Sequence, residues 1–415
     1  MSKFKPPLLQ RCRRACALWT IAVCTGQLVS AASPPSASPG PAPPPIRHVF
    51  VVVLENQPFQ NTYGANSPAR YLRALAAQGA LVVNYFGTSH ESLGNYLALV
   101  SGQAPNETVN LDCEIFEEFI SAGITADGQA VGKGCVYPPS VTTLANQLEA
   151  AHLSWKGYME DMGNNPRRER ESCAHPPLGA PDNTQAAEVG DQYATRHNPF
   201  VYFHAIIDSP SCARQVVNLK QLGADLKSVA TTPNYLFIVP NLCHDAHDGT
   251  GGGRCVDGAA GGLIAADRFL SVLVPKILAS PAFRSDGLLV ITFDESDLLE
   301  TLDRRTGMTV LSGDAAACCN EAAGPNIPPY SATAVGTWEK MNGPGIVGPG
   351  GGRVGALVLS PYTRPGTISM VPYNHYALLK SVEDIFNLAH LGYAAQPGLQ
   401  GFGPDLYNQP ASTRH

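Results

Sequence analysis

The chain has 415 residues, of which 44% are hydrophobic and 15% charged, a balance that supports a sizeable packed core and excludes general disorder. Its formal net charge of -6 is spread along the sequence with no long like-charge block after the first residues, which excludes the basic footprint of a nucleic-acid binder.

The first 32 residues have the three-part layout of a secretory signal: Lys3, Lys5, Arg11, Arg13 and Arg14, an apolar stretch over 15–29, then Ser30-Ala31-Ala32 as a small-residue cleavage site. A membrane anchor is the rival reading, but the apolar stretch is shorter than the roughly 20 residues a span needs and is interrupted by Thr, Gln and Gly. Arg13-Arg14 leaves the export route open. Residues 33–46 are rich in proline, which fixes its own backbone angle and has no N–H to donate, so they read as a linker. The expected organisation is a signal over 1–32, this linker, a catalytic domain over 47–403 and a short polar tail over 404–415, in a secreted or periplasmic protein with no membrane span after cleavage.

The run from Ile46 to Leu54 has no polar face, the pattern of a strand buried on both sides, and it delivers Glu55-Asn56 at its carboxyl end. Similar runs end at Asn241 (233–240), at Asp294-Glu295 (287–293) and at Ser360-Pro361 (354–359). Helical patterns lie between them: 67–77, with Ser67 as cap and Pro68 in the first helical position, 142–151, 263–278 and 375–389. Strands alternating with helices predict an α/β fold, a three-layer α/β/α sandwich with ligands at the strands' carboxyl ends. The glycine-rich stretches 249–262 and 343–352 read as exposed loops. Of the 11 cysteines, Cys12, Cys16 and Cys24 leave with the signal, and the even remainder reads as disulfides: Cys113 with Cys135, Cys173 with Cys212, Cys243 with Cys255, and the adjacent Cys318 and Cys319 unassigned. A zinc site is disfavoured by the lack of paired CxxC motifs.

Between the apolar runs 80–86 and 96–100 lies Ser89-His90-Glu91-Ser92-Leu93-Gly94-Asn95-Tyr96. A strand, a small-residue turn and a helix place the Ser92 hydroxyl against the amide donors of a helix N-terminus, so Ser92 reads as a nucleophile. Taken alone, a serine before an apolar stretch is more often a helix cap, and the distant segments of the chain favour the nucleophile. Glu55, Asn56, Ser92, Asp294 and Glu295 together form a set of hard oxygen ligands for one divalent cation, with Mg, Ca, Mn and Zn all open. His90, His244, His247 and His375 are available for proton delivery or for donation to phosphate oxygens, and Asp248 stands beside His247.

The segments 48–56, 89–102, 158–162 (Tyr-Met-Glu-Asp-Met), 196–200 (Arg-His-Asn-Pro-Phe), 240–248, 291–295 and 373–376 occur in the order found in the phosphoesterase family of bacterial acid phosphatases and non-haemolytic phospholipases C. The chain resembles that family, whose fold is alkaline phosphatase-like. The resemblance implies that Glu55, Asn56, Ser92, Asp294 and Glu295 bind a metal and that Ser92 forms a phosphoenzyme. It further implies that Asn95 and nearby histidines, among them His197, His244 and His375, hold the phosphoryl oxygens, while His247 and His90 assist catalysis. Glu91 and Gly94 stand where that family commonly has proline, and Ser296-Asp297 where it commonly has glycine. The expected function is an exported, metal-dependent phosphomonoesterase. The alternatives are a phospholipase C-type phosphodiesterase acting on phospholipid head groups and, from another class, an inactive anion-binding cell-surface protein.

Overall fold

The computed structural model describes residues 42–249, 252–303, 308–327 and 349–409. The signal read in 1–32 and most of the linker lie outside the described residues. Eight strands form the central sheet: β1 (His48–Leu54), β2 (Ala80–Val82), β3 (Trp155–Met159), β4 (Val216–Asn218), β5 (Tyr235–Val239), β6 (Gly287–Phe293), β7 (Ala356–Leu359) and β8 (Thr367–Ser369). Their spatial order is β8-β2-β7-β6-β1-β5-β3-β4. Every pairing is parallel except those of β7, which runs antiparallel to both β6 and β2. The apolar run 354–359 therefore points its carboxyl end away from that of β6, and Ser360 Oγ donates to the carbonyl of Gly287, at the start of that strand.

The five longest helices among the described residues are α1 (Arg70–Ala76), α2 (Ser92–Ser101), α3 (Leu144–Ala150), α4 (Gly262–Ala279) and α5 (His375–Phe386). α2 packs with α3 and α5, while α1 packs with α4. The central strands β1, β5, β6 and β7 are buried along their whole length, as a sheet covered on both faces requires. All ten residues of α2 are buried as well.

Local chemistry sets several boundaries. The predicted cap at Ser67 is corrected: α1 starts at Arg70 behind Ala69, and Ser67 Oγ instead accepts from Ala69 N at 3.1 Å. The orphan amides of α1 are satisfied from another helix, since the Asp267 carboxylate on α4 accepts from Tyr71 N and Leu72 N, each at 2.9 Å. At α3, Thr143 and Asn146 form a reciprocal capping box. The second glycine stretch is not an exposed loop where it is described. Gly350–Gly352 are buried, Gly351 N donates to the Gly87 carbonyl, and a Cβ on Gly352 would lie 1.9 Å from the Asp314 carbonyl oxygen.

The three sequential disulfides form as expected, and Cys318 is bridged to Cys319. Residues 404–409 pack on the domain: Leu406 is buried, and Asp405 accepts from Tyr373 Oη at 2.8 Å. The packed body thus continues past Gly403.

Two stability predictions follow from single carboxylates. Asp267→Ala removes the cap of α1 and is expected to cost ~1–2 kcal/mol in urea unfolding. Glu383 on α5 accepts from Leu391 N at 2.9 Å through Oε1 and leaves Oε2 unpartnered, and burial pushes its pKa up to about 9. The folded state therefore holds this proton more tightly than the unfolded chain, so the stability it contributes is full below the ordinary value of 4.5 and is lost as pH rises toward 9. Glu383→Gln keeps the acceptor without the ionisation. Its Tm is expected to match wild type near the low end of that range and to exceed it by roughly a few degrees at the high end; a pH-independent difference would contradict this.

Candidate active site

β1 and β6 are adjacent, parallel and in register, with Leu54 opposite Phe293. The residues that follow, Glu55 and Asp294, therefore leave the sheet side by side. On the other side of β1 the loop after β5 turns back, and its Asp245 carbonyl accepts from Glu55 N at 2.8 Å. α2 begins at this edge with Ser92 as its first residue.

Ser92 Oγ donates to Glu55 Oε2 at 2.7 Å and also interacts with the Asp294 carboxylate. Tyr96, one turn along α2, donates to Glu55 Oε1 at 2.6 Å, so one helix engages both oxygens of that buried acid. The Asp294 Oδ1 atom accepts from Asn56 N at 3.0 Å and Glu295 N at 2.6 Å, while Asp294 Oδ2 and Asn56 Oδ1 are buried without hydrogen-bond partners. Burial, aided by the neighbouring Asp294, raises Glu55 well above the usual carboxylate range, and burial raises Asp294 to about 7. Asp245 and Glu295 are shifted upward for the same first reason.

Several predicted ligands are already engaged. Asn95, expected to hold phosphoryl oxygens, spends its amide on the turn before α2: Oδ1 accepts from Thr88 N at 2.8 Å and Ser89 N at 3.0 Å, and Nδ2 donates to the Ser89 carbonyl at 2.8 Å. His375 is likewise engaged: Nε2 bonds the Asp294 carbonyl at 2.5 Å and Nδ1 meets Tyr85 Oη at 3.1 Å. The cap of α5 is Asn374, which accepts from Ala377 N at 3.0 Å. His90 is fully buried between the Glu295 carboxylate at Nδ1 and the Asp314 carbonyl at Nε2, so neither nitrogen is open to a leaving group. His244 pairs with Glu160 at 3.0 Å and stacks on Phe269, lining a cavity whose walls include none of Glu55, Ser92, Asp294 or Glu295.

Two histidines do face the site. His197 stacks on Tyr96 with ring centroids 5.3 Å apart and places Nε2 3.4 Å from Glu55 Oε2, and neither ring nitrogen has a hydrogen-bond partner. Burial, then Arg196 and His247, hold it well below the ordinary histidine pKa, so it is neutral. His247 lies at the exposed edge with its backbone N donating to Asp245 Oδ1 at 2.8 Å.

Three residues were not picked out from the sequence. Asp245 is buried with Oδ2 unpartnered and feels the charge of Glu55. Burial opposes the charge on Arg196, but Asp112, Glu55 and Asp245 outweigh it and raise its pKa. Asp112 Oδ1 accepts from Leu93 N at 2.9 Å, serving as the cap that Glu91 does not supply. Arg196 lies inside a segment shared with the family, and Tyr96 stands one helical turn from Ser92; no comparable signal marks Asp112.

The residues present fit a divalent cation. Two buried, orphaned oxygens (Asn56 Oδ1 and Asp294 Oδ2) and a hydroxyl shared between two desolvated carboxylates form an oxygen donor set in which positive charge would relieve like-charge crowding. Glu295 stands beside them with Oε2 turned to His90. Elsewhere among the described residues, the ligating atoms of Cys243, Cys255 and Asp257 converge, but the two sulfurs form a disulfide.

The phosphoesterase family matches residues 65–389, most of the chain. The chain belongs to that family. It is 32% identical over 228 residues to a phosphate-repressible acid phosphatase of Penicillium chrysogenum, covering 54% of this chain and 43% of that protein. It is 27% identical over 254 residues to a phosphatidylinositol-3-phosphatase of Mycobacterium tuberculosis, covering 61% of this chain and 65% of that one. The chain thus spans about half the length of most of these phosphoesterase relatives. Among solved structures, an alkaline phosphatase superfamily protein from Vibrio parahaemolyticus aligns over 89% of this chain and 72% of that one, at 12% identity and a TM-score of 0.44, a likeness too slight to carry chemistry.

Asn95→Ala leaves buried turn amides unpaired and is expected to lower stability by on the order of 3 kcal/mol. A substrate contact would instead raise KM with the urea midpoint unchanged.

Proposed function

We propose that this phosphoesterase is an exported, metal-dependent phosphomonoesterase of the acid phosphatase kind, acting through Ser92. The observation that carries the reading is the Ser92 hydroxyl, held 2.7 Å from Glu55 Oε2 at the N-terminus of a buried helix. The relatives named acid phosphatase and phosphatidylinositol-3-phosphatase support the reaction class. Four disulfides support an oxidising compartment, and among the described residues no helix is long and apolar enough to cross a membrane.

Glu55, Asn56, Ser92, Asp294 and Glu295 would hold the cation. When bound, it supplies charge neutralisation for the Ser92 alkoxide and the phosphoryl oxygens. Glu55 accepts the Ser92 proton, Ser92 Oγ forms a bond to phosphorus, and the P–O bond to the alcohol breaks. His247, at the open edge, delivers a proton to the departing oxygen. Water then attacks the phosphoserine and passes a proton to His247; its oxygen bonds phosphorus, the bond from phosphorus to Ser92 Oγ breaks, and Ser92 regains its proton from Glu55. Arg196 and His197 present donors toward the phosphoryl oxygens. His90, Asn95 and His375 act as positioning residues, holding Glu295, the turn before α2 and the Asp294 backbone.

Phosphate release from a soluble aryl phosphate tests this reading. Ser92→Ala is expected to reduce it by at least on the order of 10³-fold with Tm unchanged, and chelation is expected to abolish it reversibly. Equal turnover by Ser92→Ala would remove the nucleophile assignment. Strong phosphocholine release from phosphatidylcholine would move the reaction to the phosphodiesterase class, and folded protein inert toward both esters would favour anion capture.

A further inference from the structure

A second cavity, of about 530 Å³, lies between α4 and the segment 218–226. That volume is within the usual range for small-molecule sites. Its floor is apolar: Leu222, Leu226 and Leu273 are buried, and Leu219, Phe269 and Val272 complete it. Val272 is 56% exposed, so aliphatic surface is open to solvent beside the buried leucines.

The charges around the cavity are unequally committed. Glu160 accepts from Asn241 N at 3.0 Å and from His244, and Asp161 accepts from Asn241 Nδ2 at 2.7 Å and Gln192 N at 3.2 Å. Lys220 Nζ donates to Asn164 Oδ1 at 2.7 Å. By contrast, the exposed Arg268 and Lys276 side chains have no hydrogen-bond or ion-pair partner among the described residues, and both line the cavity. Two turns separate them on one face of α4, about 12 Å along its axis, with Val272 midway. The open charge on the rim is therefore positive while the floor is aliphatic.

We propose that this cavity binds a single-chain anionic amphiphile, a carboxylate or phosphate head at Arg268 and Lys276 with its alkyl tail on the leucine floor. Such a ligand satisfies both exposed cations and covers the apolar floor, whereas a small inorganic anion leaves the floor wet and a cationic amphiphile meets like charge. The site is separate from Ser92, but the loop that lines it with Cys243 and His244 continues into Asp245 and His247 at the catalytic edge. The inference does not depend on the phosphatase reading.

Calorimetric titration of the intact protein with laurate, butyrate and dodecyltrimethylammonium tests it. Laurate is expected to bind saturably, one per chain, with butyrate and the cationic amphiphile at least about tenfold weaker. Val272→Glu places a carboxylate on the floor within reach of both rim cations and is expected to weaken laurate at least about tenfold with Tm unchanged. Arg268→Glu is expected to weaken laurate while strengthening the cationic amphiphile. The Ser92→Ala protein is expected to bind laurate like wild type, so a failed nucleophile assignment leaves this result standing. Absence of saturable laurate binding, equal binding of both amphiphiles, or unchanged laurate affinity in Val272→Glu overturns the proposal. A concentration-dependent dimer that Val272→Glu abolishes, with no laurate uptake, would overturn it in favour of a self-association face.

Discussion

Everything at the carboxyl edge of the sheet depends on keeping buried acids beside one hydroxyl. β1 and β6 run in register, so Glu55 and Asp294 emerge together, and both engage Ser92 Oγ. Like-charged carboxylates removed from water repel, and burial raises the pKa of each. The arrangement persists because so much of the surroundings is spent on it: Tyr96 on Glu55, the Asn56 and Glu295 amides on Asp294, and Arg196 in the middle distance. A cation at the orphaned oxygens would complete the same compensation, so the donor set and the crowding are one feature.

The turn before α2 is the second half of that constraint. Glu91 has φ 66, a conformation that proline with φ near -65° cannot adopt, so this chain reaches the helix by a backbone route closed to proline at that position. The route is stabilised by Asn95 from inside and by Asp112 from outside. Gly94 is needed in turn because a Cβ there would lie 2.4 Å from Ser89 Oγ. The two departures from the family pattern are therefore coupled through one turn.

The legible parts of the fold were those where burial on both faces leaves an unbroken apolar run, as in β1, β5 and β6. β3 and β4 escaped because Trp155–Met159 carries Lys156, whose ammonium reaches Asp225 at 2.7 Å, and because Val216–Asn218 is too short to show a period. The candidate site was legible wherever a residue ends a strand or starts a helix: Glu55, Asn56, Ser92, Asp294 and Glu295. Which polar side chains are free was not legible. Asn95, His375 and His90 are residue types that bind phosphate, yet Asn95 is spent on Thr88 and Ser89 in the turn just before α2, and the two histidines on carbonyls, the Tyr85 hydroxyl and the Glu295 carboxylate, which the completed fold brings close. Asp112 and Asp245 come from loops whose sequence has no periodicity to read.

That division of labour has a consequence for how such a protein can change. α2 has no solvent face, so substitutions in its ten residues, Ser92 included, disturb packing before anything else. Asp112, Asp245 and His247, by contrast, hang from loops between the regular elements, and Arg196 from a single 3₁₀ turn, Thr195–His197. Connections of that kind accept replacement and length change far more readily than a core helix does. The surroundings of the candidate site can therefore change by exchange of loops, leaving variation there largely uncoupled from variation in foldability.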